Sequence, residues 1–382
     1  MIPYGRQNIS LKDIEAVTKV LLSDFITQGP VVPEFECKLK EITGAKYATA
    51  VNSATSALHI ACLALGLKEG DVLWTVPNTF VASANCALYC GATVDFVDID
   101  PETLNMSIQN LHSKLKLAEK LGKLPKIVIP VHLTGEPCDM ALIKALSDKY
   151  GFKVIEDASH AVGGRYKDAA IGASTYSDVT IFSFHPVKII TSGEGGAALT
   201  NDLNIDQKMK RLRSHGITRE KSLMERPNSS PWYYEQIDLG FNYRMTDIHA
   251  ALGLSQLECL NEFINKRHAI AKFYDQELAN SNLTTPKRSP ESMSALHLYV
   301  VQVDKFKHEE IFRSLYEKGI GVNVHYIPVH TQPYYQKMGF KWGDFPNCEA
   351  YYRRAISLPI YPTLEPEQQN YVIDQLRSLC DE

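Results

Sequence analysis

Lys46-Tyr-Ala-Thr-Ala-Val-Asn-Ser-Ala-Thr-Ser-Ala-Leu-His-Ile-Ala-Cys-Leu-Ala-Leu-Gly66 decides the fold class. Its opening, Lys46–Val51, reads as a short strand. Ser53–Leu65 reads as a helix of small and apolar residues, which Gly66 stops. The same alternation runs outward along the chain. Val72–Val76 is strand-like, Thr79–Tyr89 helical, and Thr93–Ile99 alternates apolar and polar residues. Lys126–Val131 reads as a buried strand and Asp139–Tyr150 as a helix. Lys153–Ile155, Val179–Phe184 and Ala197–Thr200 are further strands. Strand followed by helix this often predicts an α/β layer structure, with a mostly parallel sheet flanked by helices.

The pattern changes after about Gly253. One long helical stretch, Met245–His268, leads away from the sheet. A strand (Leu296–Val303), a helix (Glu309–Lys318), a strand (Gly321–Tyr326) and a last helix (Glu365–Leu379) follow. The expected organisation is a large domain over 1–255 and a smaller α+β domain over 256–382. The N-terminal segment is expected to pack on the smaller one. Glu220–Tyr233, rich in charge, Pro, Asn and Ser, reads as the longest mobile loop.

Composition excludes several classes of function. With 382 residues the chain can bury a sizeable core. Forty basic against 44 acidic residues leave a formal charge of −4, so nothing resembles a nucleic-acid footprint. No apolar run reaches the ~18 residues of a membrane span. Met1–Lys12 has no signal-peptide core. The expectation is a cytoplasmic protein. The cysteines Cys37, Cys62, Cys86, Cys90, Cys138, Cys259, Cys348 and Cys380 have no C-x-x-C spacing. They read as free, buried or half-buried thiols in a reducing compartment, and no metal site is expected.

Three strand ends carry residues suited to chemistry. Asn52-Ser-Ala-Thr-Ser56 opens a helix, where free N–H groups and the positive helix end suit an anion. Read alone, it is equally a plain N-cap by Ser53 or Thr55. Val154-Ile-Glu-Asp-Ala-Ser-His160 ends an apolar strand in two acids, with a histidine three residues on. Ligand crevices of open α/β sheets lie at such carboxyl ends, so one acid is expected to point into the crevice. Phe182-Ser-Phe-His-Pro-Val-Lys188 then places a lysine on a turn before Gly193-Glu-Gly-Gly196. A desolvated lysine there has a lowered pKa and can form a Schiff base with a carbonyl. An anion seat, an acid and a lysine, in that chain order, are what a pyridoxal phosphate site needs.

These segments resemble the DegT/DnrJ/EryC1/StrS family of pyridoxal-phosphate-dependent, fold-type I aminotransferases acting on nucleotide-linked keto sugars. The resemblance also takes in Ile26-Thr-Gln-Gly-Pro30, Gly240-Phe-Asn-Tyr-Arg-Met245, His325-Tyr-Ile-Pro328 and Ser357-Leu-Pro359. The run Phe182–Gly196, with Arg213-Ser-His-Gly216 and 238–256, is most similar to one branch. That branch makes UDP-4-amino-4,6-dideoxy-N-acetyl-β-L-altrosamine on the route to pseudaminic acid. The run after the lysine, Ile189-Ile-Thr191, departs from the Pro-Ile-Thr frequent in that branch.

The resemblance implies a role for each matching residue. Lys188 would hold pyridoxal 5'-phosphate as an internal aldimine, Asp157 would pair with its ring nitrogen, and His160 would meet its phenolic oxygen. Ala54, Thr55 and Ser183 match the phosphate seat, and Phe80 matches a ring against the cofactor's face. Asn242 matches an asparagine reaching the phosphate of the neighbouring subunit, which implies a homodimer with shared sites. Thr27, Glu194, His325 and Tyr326 match regions lining the sugar-nucleotide cleft. L-glutamate would donate the amine, and the acceptor would be UDP-2-acetamido-2,6-dideoxy-β-L-arabino-hex-4-ulose. The same chemistry on another UDP- or dTDP-4-keto-6-deoxy sugar is the alternative, and a non-catalytic cofactor-binding regulator is the alternative from another class. His185 reads as a packing or turn residue.

Overall fold

The computed structural model describes residues 1–226 and 230–381. Seven strands form the main sheet: β1 (Tyr47–Val51), β2 (Val72–Thr75), β3 (Thr93–Phe96), β4 (Ile127–Ile129), β5 (Lys153–Asp157), β6 (Val179–Ser183) and β7 (Gly196–Thr200). Their order is β1-β7-β6-β5-β4-β2-β3, and only β7 runs antiparallel to its neighbours. The sheet is therefore mostly parallel, as the strand–helix alternation predicts, and mixed because β7 reverses. β4 and β6 are buried along their whole length, as is β5 beyond Lys153. Strands covered on both faces need such continuous apolar runs.

The longer helices are α1 (Leu11–Leu21), α2 (Val31–Thr43), α3 (Ala54–Ala64), α4 (Ala82–Tyr89), α5 (Ile108–Leu121), α6 (Met140–Tyr150), α7 (Leu203–Leu212), α8 (Asp247–Glu258), α9 (Leu260–Leu278), α10 (His308–Glu317) and α11 (Pro366–Asp381). No helix among the described residues is long and apolar enough to cross a membrane.

Three elements differ from their expected form, each for a local reason. The helix expected from Thr79 starts at Ala82, because the preceding loop is committed elsewhere. Asn78 is buried there and accepts from the Tyr326 amide at 3.2 Å. The single helix expected over Met245–His268 is two, α8 and α9, which meet at Cys259. The strand expected over Gly321–Tyr326 forms no ladder beyond one bridge from Asn323 to Ser357. Its amides are already used: that of Val324 donates to Asn323 Oδ1 at 2.8 Å and that of Tyr326 to Asn78. Cys37 is exposed, not buried, among the eight free thiols.

Beyond the sheet, β8 (Tyr299–Gln302) pairs antiparallel with β9 (Ala355–Leu358). Around this pair Tyr274, Val301, Leu315, Ile356, Val372 and Leu376 form an apolar cluster separate from that of the main sheet. Membership changes within α9: Phe263 and Ile264 pack with the sheet, Ile270 and Tyr274 with the second cluster. Residue 255, the expected boundary, lies inside α8. Ile2 exchanges backbone bonds with Gly319 and Gly321, and the Tyr4 carbonyl accepts from Ile360. The loop expected over Glu220–Tyr233 holds a 3-10 turn, Lys221–Leu223, and its residues 227–229 lie outside the described ones.

Candidate active site

The carboxyl ends of β1, β5 and β6 converge on one crevice. At β1, Ser53 caps α3: its Oγ accepts from the Ser56 amide at 3.1 Å. The cap falls to Ser53, not Thr55. It leaves the amides of Ala54 and Thr55 without a protein partner among the described residues, at the positive end of the helix. Gly196, paired with Ser183 across β6 and β7, presses against this turn. A Cβ on Gly196 would lie 2.4 Å from the Ala54 nitrogen, so only glycine permits the approach. Ser183, Ala54 and Thr55 thus share one corner.

β5 delivers its two acids to opposite faces, as period-2 alternation requires. Asp157 is 5% exposed; its Oδ2 accepts from Ser83 Oγ at 2.6 Å and its Oδ1 from Ser159 Oγ at 2.6 Å and the Ser159 amide at 3.1 Å. Thr79 Oγ1 lies 2.8 Å from Ser83 Oγ and extends the network to the loop before α4. Glu156 turns away: its Oε2 meets His132 Nε2 at 3.0 Å and its Oε1 accepts from Ser177 Oγ at 2.7 Å.

Between β6 and β7 the chain makes a wide turn that carries Lys188. The Phe184 carbonyl accepts from the Ser192 amide and Thr191 Oγ1, both at 3.0 Å, and the Lys188 amide donates to the His185 carbonyl at 2.9 Å. Among the described residues the Lys188 ammonium makes no hydrogen bond or ion pair. Burial lowers its pKa to about 8, against the pull of the Asp157 carboxylate.

Three imidazoles surround it. His160 Nε2 lies 2.9 Å from Tyr326 Oη, and its ring centroid is 4.4 Å from that of His297. His325 Nδ1 lies 2.8 Å from Ser357 Oγ. Burial, with the Lys188 charge added, holds His160 and His297 well below the usual histidine range and His325 at about 3. All three are therefore neutral. Burial also raises the Tyr326 phenol, so it stays protonated and can donate. The Nδ1 atoms of His160 and His297 and Nδ2 of Asn78 are buried without partners.

The structure thus gathers Asp157, His160, Lys188, His325 and Tyr326. Phe80 stands at the rim, 58% exposed, its ring centroid 6.2 Å from that of Tyr326. Thr27, Glu194 and Asn242 are exposed, and no hydrogen bond among the described residues joins their side chains to this group. Thr27 bridges Thr246 ahead of α8, and Asn242 bridges Ser214. His185 is exposed and serves the turn through its backbone. Sequence reasoning missed Ser83, Asn78 and His297. Ser83 lies just past Pro77-Asn-Thr-Phe80, close enough to have been suspected, whereas His297 carries no local signal. Its carbonyl and that of Leu296 accept from the buried Arg267 on α9, which fixes the segment.

Chemically, the crevice offers an anion seat, a fixed carboxylate and an amine that loses its proton near neutral pH. Residues 7–377 match the DegT/DnrJ/EryC1/StrS aminotransferase family. Among curated relatives, the UDP-4-amino-4,6-dideoxy-N-acetyl-beta-L-altrosamine transaminase of Campylobacter jejuni is 39% identical, covering 100% of this chain and 98% of its own. The spore coat polysaccharide biosynthesis protein SpsC of Bacillus subtilis is also 39% identical, over 99% and 97%. Among solved structures, Helicobacter pylori PseC, an aminotransferase of pseudoaminic acid biosynthesis, superposes with a TM-score of 0.90 at 30% identity, covering 100% and 99%. The Streptococcus pneumoniae protein Spr1654, named as a sugar aminotransferase, in its PLP form gives 0.90 at 28%, over 100% and 98%. The chain belongs to the DegT/DnrJ/EryC1/StrS aminotransferase family.

Proposed function

We propose that this family member is a pyridoxal-phosphate-dependent aminotransferase that moves the amine of L-glutamate to C4 of UDP-2-acetamido-2,6-dideoxy-β-L-arabino-hex-4-ulose. The observation that carries the chemistry is Lys188, an unpaired amine in a buried crevice opposite the Asp157 carboxylate. The name of the Campylobacter relative supports the sugar, and the PLP and PMP forms of the Streptococcus relative support the cofactor.

The residues fit that cofactor. Free amides at the start of α3, with Gly196 pressed against them, suit its phosphate, alongside the Ser183 hydroxyl. Unpartnered donors at His160 and Asn78 suit its ring substituents. When bound, pyridoxal phosphate supplies an aldehyde that accepts amines and a conjugated ring that stores the electrons of a broken C–H bond.

The chain's own groups do the rest. Two serine hydroxyls and an amide hold Asp157 aimed, and a carboxylate at the ring nitrogen favours its protonated form. Lys188 Nζ holds the cofactor. It then takes a proton from the α-carbon of glutamate in one half-reaction and delivers one to C4 of the sugar in the other. Its lowered pKa keeps the amine close to the neutral form this exchange requires. Tyr326 fixes His160 through their 2.9 Å contact, and Phe80 closes the rim.

Thr27, Glu194, His325 and Tyr326 are proposed to line the sugar-nucleotide cleft. Asn242 is proposed to reach the phosphate in the neighbouring subunit of a homodimer. Exposed Leu22, Phe25 and Ile26 beside Thr27, and exposed Leu239 near Asn242, support a covered face there. SpsC supports a second reading, the same chemistry on another nucleotide-linked 4-keto sugar. The test is kcat/KM with glutamate and a panel of UDP- and dTDP-4-keto-6-deoxy sugars. Preference for the UDP L-arabino compound is expected, and preference for a dTDP sugar overturns the assigned substrate.

A further inference from the structure

Of the three imidazoles around Lys188, two are engaged within the chain. His160 meets Tyr326 Oη at 2.9 Å and His325 meets Ser357 Oγ at 2.8 Å. His297 is 3% exposed and its ring packs 4.4 Å from that of His160. Its Nδ1 is buried without a partner, and the ring makes no other hydrogen bond among the described residues. The proposed cofactor accounts for the free donors of His160 and Asn78 but leaves His297 unexplained.

The segment that carries His297 is nonetheless pinned from two sides. The amides of Ala295 and Leu298 donate to the carbonyls of Gly135 and Thr134 at 3.1 and 3.2 Å. From α9, His268 Nε2 donates to the Ser294 carbonyl at 2.8 Å. Arg267 Nη1 donates to the carbonyls of Leu296 and His297, both at 3.2 Å, and to that of Ile360 at 2.9 Å. Within these contacts Leu296 has a φ of +50°, a left-handed conformation that a leucine adopts only where its surroundings impose it. The strain serves to turn the next residue, His297, toward the crevice.

Arg267 adds a second oddity. It is fully buried, makes no ion pair with an acid among the described residues, and its Nε has no partner. Burial lowers its pKa to about 9, so it remains a cation at neutral pH. The groups that act electrostatically on His297 are Lys188, His160, Arg267 and His325, and none of them is an acid. A free imidazole N–H therefore sits in a desolvated, positively biased corner. Such a corner is completed by an anion, which pairs the N–H and offsets the buried charge.

We propose, on the aminotransferase reading, that His297 receives the α-carboxylate of the amino donor. That carboxylate is bonded to the carbon whose proton Lys188 takes, so it must come to rest close to Lys188. His297 is the uncommitted donor there, held by Arg267 and neutral, and one N–H to a carboxylate oxygen satisfies both. The keto sugar carries no carboxylate at its reacting carbon and makes no such demand, so His297 serves one half-reaction and not the other.

The test uses the cofactor-loaded protein and follows the two half-reactions separately. His297→Phe keeps the ring against His160 and removes its N–H. The half-reaction with L-glutamate should lose about 10–100-fold in kcat/KM, the scale of a hydrogen bond to a charged group. The half-reaction with the keto sugar should lose far less. Binding without turnover gives a second readout: 2-methylglutamate, which has no α-proton, should perturb the cofactor's absorbance, and its Kd should rise by the same factor. His297→Asn retains an N–H and should recover part of both losses. 4-Aminobutanoate, which lacks the α-carboxylate, should react equally with the unmodified and the His297→Phe proteins. Equal losses in the two half-reactions, an unchanged Kd for 2-methylglutamate, or an equal loss with 4-aminobutanoate would each overturn the assignment of His297 alone. An unmodified protein whose cofactor absorbance does not respond to glutamate would overturn the aminotransferase reading and this assignment together.

Discussion

The two acids that end β5 sit in contrasting surroundings. Glu156 faces a region closed on itself. Its carboxylate is shared by His132, Ser177 and Thr180. His132 Nδ1 in turn accepts from the Cys138 amide at 3.2 Å, so Nε2–H is the end that donates to Glu156. Asp157 is equally well held, but the groups beyond it are not: the Lys188 amine has no hydrogen bond or ion pair among the described residues, and Nδ1 of His160 and of His297 and Nδ2 of Asn78 lack partners. A buried polar group left unpaired costs about 1–3 kcal/mol. The same residue types, a carboxylate with histidine and hydroxyls, make a structural knot on one face and a receptive crevice on the other. Receptiveness lies in the incomplete side.

The largest effect should come from the incomplete side's amine. Lys188→Ala removes the group that holds the cofactor and carries the proton, and turnover should fall by about 10³–10⁴-fold. Borohydride reduction of the unmodified protein, followed by peptide mapping, should place the pyridoxyl label on Lys188. A label elsewhere would move the centre of the site.

The adjacent acids give the most direct break of the comparison. Asp157→Asn should keep the fold and lose at least about 10²-fold in turnover. Glu156→Gln should do the reverse, losing about 1–3 kcal/mol of stability through its disturbed buried contacts while turnover stays near that of the unmodified protein. Steady-state kinetics beside urea unfolding of both variants decide this. If the two exchange behaviour, Glu156 serves the crevice and the faces are misassigned.

Such pairs also show what a sequence can disclose. The alternation of strand and helix made the layered sheet legible, and the turn at Lys188 and the acids at Glu156 and Asp157 were visible as strand-end residues. Which acid faces the crevice follows from where β5 ends and how it registers against β6, both long-range facts. Ser83 and His297 were hidden for the same reason: each reaches the site from another element. The Gly321–Tyr326 segment misled because its apolar residues suit a strand, while Asn78 and the Asn323 side chain claim its amides. The contrast of the two apolar clusters supports the proposed pair of units, with α9 passing from one to the other.

Ser83 sharpens the comparison at a smaller scale. Ser83→Ala deletes one of three hydrogen bonds on Asp157 and leaves the carboxylate in place. A bond to a charged group contributes about 1.5–3 kcal/mol, part of which water entering the crevice would restore. Turnover should therefore drop by roughly tenfold, and Ser83→Thr should recover part of it. A loss as large as that of Asp157→Asn would mean that Ser83 itself touches the reacting groups.

The smallest effect expected is a pH dependence of stability in the cofactor-free protein. Lys188 has its pKa lowered from 10.5 to about 8 by burial, with the Asp157 charge opposing. Between these values the unfolded chain binds a proton at this position that the folded chain does not. Stability should therefore rise as pH increases from about 8 toward 10.5, because the folded state no longer has to hold a buried ammonium. Below about 8 both states carry the proton and the penalty is present in full. Lys188→Met removes the titrating group and should flatten this part of the profile. The measurement is the urea midpoint of both proteins, freed of cofactor, across that range. Groups on the Glu156 face are common to the two proteins and cancel in the difference, so any remaining slope belongs to the crevice. Equal slopes would show that Lys188 is solvated in the folded chain, and the unpaired amine would then no longer distinguish the Asp157 face from the Glu156 face.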